Sequence, residues 1–213
     1  MYQAVSTERV ANMSGKRQEI IEKTAALMKS RGYENTKIND IMEACQIGKG
    51  QFYYYFSSKH ELGLAVVDHL FVSFHENMLQ KILSSPKQPE ERLKEMLEWI
   101  VARHAAKEVK CGCVFGNLAL EMSEHDPGFR ESLNRVFAIW ANKIELALLE
   151  MLPDTDSSEI ASLAQAIVAM IEGGILLMKN NQDIGALQDM SGWIKYLIRS
   201  FETHGARDAF AKA

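Results

Sequence analysis

The chain has 213 residues, of which 47% are hydrophobic and 24% are charged, and its net charge at pH 7 is −4. This length and composition are sufficient for a packed core in one domain or two small ones, and they exclude an intrinsically disordered chain. The cysteine number, three, is odd and argues against a secreted disulfide scaffold.

Charge is distributed unevenly along the chain. Residues 1–60 contain nine Lys and Arg and six Asp and Glu, so this part carries +3 and the remainder −7. Such an imbalance is typical of a protein that contacts phosphate with one end, although many domains that bind no nucleic acid share it. The N-terminal sequence lacks a signal-peptide pattern, and the longest apolar stretch is interrupted by Glu172 and two glycines. We therefore expect a cytoplasmic protein without a membrane segment.

The N-terminal elements are predicted to be three short helices. Residues 1–13 show no periodicity and indicate an arm, after which Ser14 is a suitable N-cap for a first helix that ends at Gly32. A second helix follows from the helical spacing of its apolar residues, which are Ile38, Ile41, Met42 and Cys45. The third runs from Gly48 to about Tyr55, and Phe52 and Phe56 are spaced to anchor it. We find no convincing β-strand in the sequence.

A long fourth helix is predicted after the third. Ser58 to Glu61 matches a capping box, and an apolar stripe continues to about Leu83, where a Ser-Ser-Pro-Lys-Gln-Pro segment breaks the pattern. This break is the clearest domain boundary. We predict an N-terminal arm and DNA-binding domain at residues 1–57, a connecting helix at 58–84, and a C-terminal domain at 85–213.

The run from Asp40 to Leu62 resembles the helix-turn-helix signature of the TetR family of bacterial transcriptional regulators. The specific features are the Lys-Gly pair that opens the third helix, the Tyr-x-Tyr-Phe run, and the Ser-Lys-x-x-Leu start of the fourth. The resemblance covers about residues 14–80. Lys37, Gln46 and Gly48 depart from the usual Thr, Gly and Ser or Thr, and Gln46 would have to adopt a turn conformation that often requires positive φ.

The resemblance implies an all-α fold of about nine helices, with an N-terminal three-helix DNA-binding domain and a C-terminal helical domain for ligand binding and dimerisation. Carried over position by position, it implies that eight residues face double-stranded operator DNA, namely Lys37, Gly48, Lys49, Gln51, Tyr53, Tyr54, Tyr55 and Lys59. Gln51 is suited to pair with adenine, and Lys49 with guanine or a phosphate. The tyrosine hydroxyls, Lys37 and Lys59 are expected to contact phosphates.

Three further helices are predicted at about 89–107, 112–124 and 127–151, and they contain the residues that we expect to bind a small organic effector. Apolar and aromatic residues predominate and polar ones are few, as in ligand cavities. The candidates are Trp99, Arg103, His104, Cys113, Phe115, Asn117, Glu121, Phe137, Trp140 and, from a later helix, Met170. Taken one at a time, the aromatic residues are better interpreted as core, whereas inward-facing Asn117 and Glu121 would need polar partners.

The segment Cys111 to Glu121 resembles a Gly-Cys-x-x-Gly-Asn-Leu-x-x-Glu pattern found in the C-terminal domains of one subset of TetR-like regulators. The resemblance implies a small organic or electrophilic effector but does not identify it. Two thiols separated by one residue also allow reversible thiol chemistry, or a metal site with His104 or His125, and a purely structural role is open too. The spacing is a poor zinc signature, and we predict neither metal nor cofactor.

The last two predicted helices, at 157–180 and 186–203, carry wide apolar stripes. A short recognition helix reads few base pairs, so useful specificity requires two copies on half-sites, and we expect a homodimer. The resemblance implies that these helices form a four-helix bundle between subunits. The candidate interface residues are Leu163, Ile167, Ile171, Gly174, Ile194, Leu197 and Phe201. A contact within one subunit is the alternative interpretation of the same stripes.

These features together predict a ligand-responsive transcriptional regulator, in the form of a dimeric repressor released from a palindromic operator by its effector. No phosphate-binding glycine loop, zinc-protease motif or nucleophile elbow occurs in the sequence, so enzymatic activity is not expected. Two alternatives stay open at this point. One is a DNA-associated adaptor whose C-terminal domain binds a protein, and the other is a thiol-based sensor that uses Cys111 and Cys113.

Overall fold

The computed structural model describes residues 15–106 and 111–210, and within these ranges it is all-helical, as predicted. Nine helices follow one another, and a π-helical segment directly extends the fourth. They are α1 (Gly15–Arg31), α2 (Ile38–Cys45), α3 (Lys49–Tyr55), α4 (Lys59–Phe74) with its π-helical continuation His75–Leu83, α5 (Pro89–Ala105), α6 (Val114–Met122), α7 (Pro127–Met151), α8 (Ser157–Asn181) and α9 (Gly185–Phe210). The predicted arm and the cap at Ser14 lie outside the described residues.

Left-handed residues end α1 and α2. Gly32 has φ +85 after α1, and Gln46 has φ 53 after α2. The sequence predicts the first conformation and leaves open whether Gln46 has positive φ or the turn differs; Gln46 has the positive φ, without the freedom of glycine. Its N–H donates to Glu43 O at 3.1 Å, so a backbone hydrogen bond closes the turn. Gly48 then occupies the N-cap of α3, as the sequence predicts.

One of the two halves of the N-terminal capping box of α4 lies one residue earlier than predicted. Ser58 Oγ accepts from the N–H of Glu61 at 3.1 Å, as expected. The Glu61 carboxylate, however, accepts from the N–H of Ser57 at 2.8 Å and from its hydroxyl at 2.7 Å. Ser57 therefore supplies the second half of the cap, and these hydrogen bonds lower the pKa of Glu61.

Packing divides the described chain into two compact units. Residues 15–74 and 117–133 form the first unit, and residues 75–106, 111–116 and 134–210 form the second. The division falls inside α6 and α7, so residues 117–133 belong to the same unit as the predicted DNA-binding helices. The domain boundaries predicted from the sequence, after residues 57 and 84, place this segment in the C-terminal domain. Those domain boundaries stay a prediction.

The core of the first unit lies among α1, α2, α3 and α4. Its most deeply buried side chains are Ile20, Ile21, Ile41, Phe52, Phe56, Leu62 and Val66. Segment 117–133 adds Phe129, which is also fully buried, and its ring centroid lies 4.8 Å from that of Tyr33. A Cβ atom at Gly63 would come within 2.7 Å of both rings, so this part of the core requires glycine there.

The second unit is built on the packing of α8 against α9, with α5 against α9 and against the π-helical segment. Arg92 is buried on α5, donates to Leu83 O at 3.2 Å, and forms an ion pair with Glu150. By length and hydropathy α8 would be able to cross a membrane, a property that core helices of soluble proteins share. Its apolar stripe from Ile160 to Met178 is buried, which is the behaviour of a core helix.

Candidate nucleic-acid interface

Helix α3 has one buried side and one exposed side. Phe52 and Phe56 are 0% and 1% exposed and hold the helix in the first unit. On the other side Lys49, Gln51 and Tyr54 project into solvent, with Tyr54 80% exposed. The predicted base-reading and phosphate-contacting groups at these positions are thus accessible to solvent, which entry of the helix into the major groove would require.

The three tyrosines of α3 differ in exposure. Tyr53 is 46% exposed and packs edge-on against Phe52, with ring centroids 5.2 Å apart. Tyr55 is half-buried and forms a T-shaped pair with Tyr54 at 4.9 Å. These ring contacts restrict the side chains, and contact of their hydroxyl groups with phosphates stays a prediction.

Two lysines flank the helix-turn-helix, and the structure places them differently. Lys37 is exposed at the N-cap of α2, where its N–H donates to Asp40 at 2.8 Å. Lys59 is only half-exposed, because its Nζ donates to Glu34 O at 3.3 Å and lies 4.2 Å from the centre of the Tyr33 ring. Burial lowers the pKa of Lys59, which indicates that this lysine has a structural role besides the predicted phosphate contact.

Two of the predicted ligand-binding residues belong to the first unit. Asn117 lies in its 117–133 segment, and so does Glu121. Glu121 accepts from the N–H of Tyr33 at 2.8 Å and from the N–H of Glu34 at 2.7 Å. Its carboxylate therefore already has partners in the link between α1 and α2.

Another contact in the first unit connects segment 117–133 with the start of α4. Asp126 lies 2.8 Å from Nε2 of His60 and accepts from the N–H of Phe129 at 2.9 Å. Desolvation raises the pKa of Asp126, but these hydrogen bonds outweigh it, and the net direction is downward. Sequence reasoning missed this pair because the two residues are far apart along the chain, and neither the capping box around His60 nor the sequence around Asp126 indicates the other partner.

The other ligand candidates lie in the second unit and are mostly core. Phe115 and Trp140 are buried, and the indole N–H of Trp140 donates to the sulfur of Met96 at 3.4 Å. His104 is also buried, with Nδ1 2.8 Å from Ile100 O. Less buried are Trp99, Phe137, Met170 and Cys113, while exposed Arg103 stacks over the Trp99 ring at 5.1 Å.

Cys113 and Glu172 form the least expected polar contact of the second unit. The Cys113 thiol is hydrogen-bonded to the Glu172 carboxylate, which also lies against Gly116, where a Cβ atom would be only 2.3 Å from Oε2. Burial raises the pKa of both groups, and for Cys113 the neighbouring carboxylate raises it further. Glu172 Oε1 is buried and has no hydrogen-bond partner among the described residues. The sequence signal was the acidic residue that interrupts an otherwise apolar stretch.

A shallow open groove in the second unit lies elsewhere, between α5, α9 and the end of α7. Leu93, Leu97, Met151 and Ile198 form its floor, and Lys94, Lys195 and Arg199 lie at its edge with Glu90. Its volume is about 50 Å³, and none of the predicted ligand residues lines it. The groove is too small for a typical ligand pocket of about 300–1,000 Å³.

The predicted dimer residues are largely covered within one protomer. Leu163, Ile167, Ile171, Gly174, Ile194 and Phe201 are buried, and Leu197 is half-buried. These stripes belong to the intrachain packing of α8 against α9, because Gly174 admits the side chain of Met190 at this crossing. The exposed apolar side of the same two helices carries Leu176, Leu177, Trp193 and Tyr196, which are 51–65% exposed.

An anchored recognition helix with an exposed polar side, in an all-helical chain, defines a helix-turn-helix DNA-binding regulator. Family models agree: residues 20–66 match that of the "Bacterial regulatory proteins, tetR family", and residues 89–192 match that of the "Transcriptional regulator LmrA/YxaF-like, C-terminal domain". The chain therefore belongs to the TetR family of transcriptional regulators. This is a family of regulators rather than of enzymes.

Individual relatives extend this similarity to nearly the whole chain. An uncharacterized helix-turn-helix regulator from Lactococcus lactis subsp. lactis is 38% identical over 93% of this chain and 99% of its own length. The transcriptional repressor DhaR from Mycobacterium sp. (strain GP1) is 28% identical, covering 76% of this chain and 82% of its own. A crystal structure of a TetR regulator from Chloroflexus aurantiacus superposes with TM-score 0.75 at 25% identity, covering 86% of this chain and 94% of that one.

Substitutions in the two classes of DNA contact should have different effects. Gln51→Ala should reduce the base preference at one operator position by about 1–3 kcal/mol, since one bidentate base contact is removed.

Lys37→Ala should weaken binding to operator and to scrambled DNA by similar factors, since a phosphate contact is lost. The slope of log affinity against log salt concentration should fall by about 1. Binding titrations over a salt series measure both, with exposed Lys81→Ala as the control. The opposite pattern would reverse the assignments.

The thiol of Cys113 should resist alkylation. Because its pKa is raised in the folded protein, little thiolate is present at pH 7.5, and iodoacetamide should modify it at least about tenfold more slowly than in the unfolded chain. Peptide mapping by mass spectrometry after timed labelling, with and without denaturant, gives both rates. Rapid labelling of Cys113 in the native protein would restore the thiol-sensor alternative.

Proposed function

We propose that the protein is a dimeric repressor that binds a palindromic operator through α3 and is released from it by a small organic effector. The observation that carries this proposal is the exposure of Lys49, Gln51 and Tyr54 on a helix fixed by buried phenylalanines. Support for repression comes from relatives such as DhaR, which is named a repressor. As a regulator of cytoplasmic DNA, the protein would itself reside in the cytoplasm.

The dimer is proposed to form through the exposed apolar side of α8 and α9, with a second copy of this chain as the partner. Leu176 and Leu177 on α8 and Trp193 and Tyr196 on α9 project from the helices away from their buried stripes. Gly173 lies on the exposed side of α8, with nothing within 4 Å of its Cβ position, so a partner helix would be able to approach closely. Pairing of two such surfaces would place two recognition helices on one operator.

The effector is proposed to bind in the second unit near Cys113 and Glu172. The free oxygen of Glu172 is a buried acceptor, and leaving it without a donor is unfavourable by about 1–3 kcal/mol. A ligand with an N–H or O–H donor on an apolar body would satisfy it. Such a ligand releases DNA only if it binds more tightly to the conformer that does not fit the operator, because equal affinity for both conformers shifts nothing.

Operator binding is tested by fluorescence anisotropy with the DNA upstream of the protein's own gene and a scrambled duplex. We expect salt-sensitive binding that prefers the upstream DNA, since phosphate contacts supply affinity and base contacts supply selectivity. A panel of amines, aromatic alcohols and hydrophobic acids should contain a class that releases the DNA. Equal binding to both duplexes would contradict the proposal and favour the adaptor alternative.

The dimer surface is tested by Leu177→Glu. The buried carboxylate that this substitution would place between two subunits should shift the protein to monomers and reduce operator affinity by tenfold or more, because unpaired buried charges are strongly unfavourable. Analytical ultracentrifugation measures the oligomeric state. Leu146→Glu is the matched control, since Leu146 is 46% exposed on α7 in the same unit and lies outside the proposed surface. A dimer unaffected by Leu177→Glu would exclude this surface.

A further inference from the structure

Glu121 completes the end of the first helix of the DNA-binding module from a distant part of the chain. Gly32 turns the chain out of α1 with φ +85, and the next two N–H groups, those of Tyr33 and Glu34, both donate to Glu121 at 2.8 and 2.7 Å. Each carboxylate oxygen accepts a hydrogen bond from one of these two N–H groups. Charge-assisted hydrogen bonds of this kind are about twice as strong as neutral ones.

Gly32 and the carboxylate fit each other closely. A Cβ atom at Gly32 would lie 2.9 Å from both oxygens of Glu121, which is closer than any real Cβ contact. The carboxylate therefore lies directly against the backbone of the link, and a side chain at position 32 would displace it. Glycine is favoured here by its positive φ, and it also leaves room for the carboxylate.

The same link is held from α4 as well. Lys59 donates to the carbonyl oxygen of Glu34 at 3.3 Å and lies over the ring of Tyr33, which is itself buried against Phe129. Both polar groups of the Glu34 backbone thus have side-chain partners, one acidic and one basic. The link is consequently fixed by residues from outside the helix-turn-helix.

The position of this link determines where α2 begins. Only Asn35, Thr36 and Lys37 separate Glu34 from the first residue of α2. Thr36 is buried and its hydroxyl donates to Gly32 O at 2.6 Å, while Lys37 is the exposed N-cap. A displacement of Tyr33 and Glu34 is therefore transmitted over a few residues to Lys37 and to the start of the helix-turn-helix.

We propose that Glu121 is a positioning residue for operator binding, whose carboxylate holds the α1–α2 link in the arrangement that fits DNA. It sits near the C-terminal end of α6, and the N-terminal end of the same helix carries Gly116, against which Glu172 packs in the second unit. Because both acceptors are on one side chain, any displacement of Glu121 would remove both from the link at once. This inference rests on the proposed function and assigns Glu121 a role other than ligand contact.

The test compares Glu121→Ala and Glu121→Gln with Glu124→Gln in the full-length protein, using the upstream duplex and its scrambled counterpart. Glu124 is 85% exposed, two residues beyond the end of α6, so its substitution makes the same charge change without the two hydrogen bonds. Glu121→Ala should weaken operator binding roughly tenfold or more. Glu121→Gln, which keeps one acceptor, should have a smaller effect, and Glu124→Gln none or a slight gain.

The direction of the effect separates positioning from electrostatics. Removal of a negative charge by itself strengthens binding to phosphate, so a loss of operator affinity in the Glu121 variants has the opposite sign from the electrostatic effect. Affinity for scrambled DNA should stay within about twofold of that of Glu124→Gln, because the basic surface is unchanged. Equal losses on both duplexes, or operator binding equal to that of Glu124→Gln, would overturn the proposal.

Amide hydrogen exchange tests the contact without DNA. In Glu121→Ala the amides of Tyr33 and Glu34 should lose protection, whereas amides in the buried part of α8 should not. Gly32→Ala should also reduce operator affinity, and the reduction should be smaller in the Glu121→Ala background than in the wild type. The backbone strain of alanine at position 32 is the same in both backgrounds, whereas its clash with the Glu121 carboxylate occurs only in the wild type. Unchanged protection at Tyr33 and Glu34 would overturn the inference, even if the wild-type protein proved not to select an operator.

Discussion

The burial of two phenylalanines in the first unit is the interaction on which the DNA-binding surface depends. Helix α3 has seven residues, and a helix of that length is not stable alone in water. Phe52 and Phe56 are almost completely buried and hold it against the rest of the unit, which leaves the opposite side free for lysine, glutamine and tyrosine. The predicted base-reading residues of α3, Lys49 and Gln51, are therefore separate from the residues that anchor the helix.

Acidic side chains with defined partners occur in both units of the molecule. Glu121 and Asp126 belong to a segment that the family comparison assigns to the C-terminal domain, yet both contact groups of the first unit. Glu172 is held in an apolar helix of the second unit beside Cys113. Because even partly buried carboxylates are unfavourable without partners, their positions mark the places where the chain depends on hydrogen bonding rather than on apolar packing.

The sequence was sufficient to predict the order of the helices, while the DNA-facing residues stay a prediction. Apolar periodicity, the glycine after α1 and the breaks around residues 84–88 are local signals, and the described helices agree with them within a few residues, except that α9 continues to Phe210 beyond the predicted end at 203. Periodicity could not show what covers an apolar stripe, so Ile167 and Ile194 were predicted at a subunit interface although they are buried within the protomer. Nor could it show Glu121 beside Tyr33, because that contact joins residues 88 positions apart.

The π-helical turns at His75–Leu83 have a consequence for comparisons among relatives. Their hydrogen bonds span five residues instead of four, as in the bond from Ser84 N–H to Leu79 O at 3.0 Å. Such a stretch accommodates more residues per turn than an α-helix, so loss of one residue would tighten it into ordinary α-helix without unfolding it. Homologous sequences should accordingly tolerate a one-residue gap here, inside a continuous helix, where alignments normally place none.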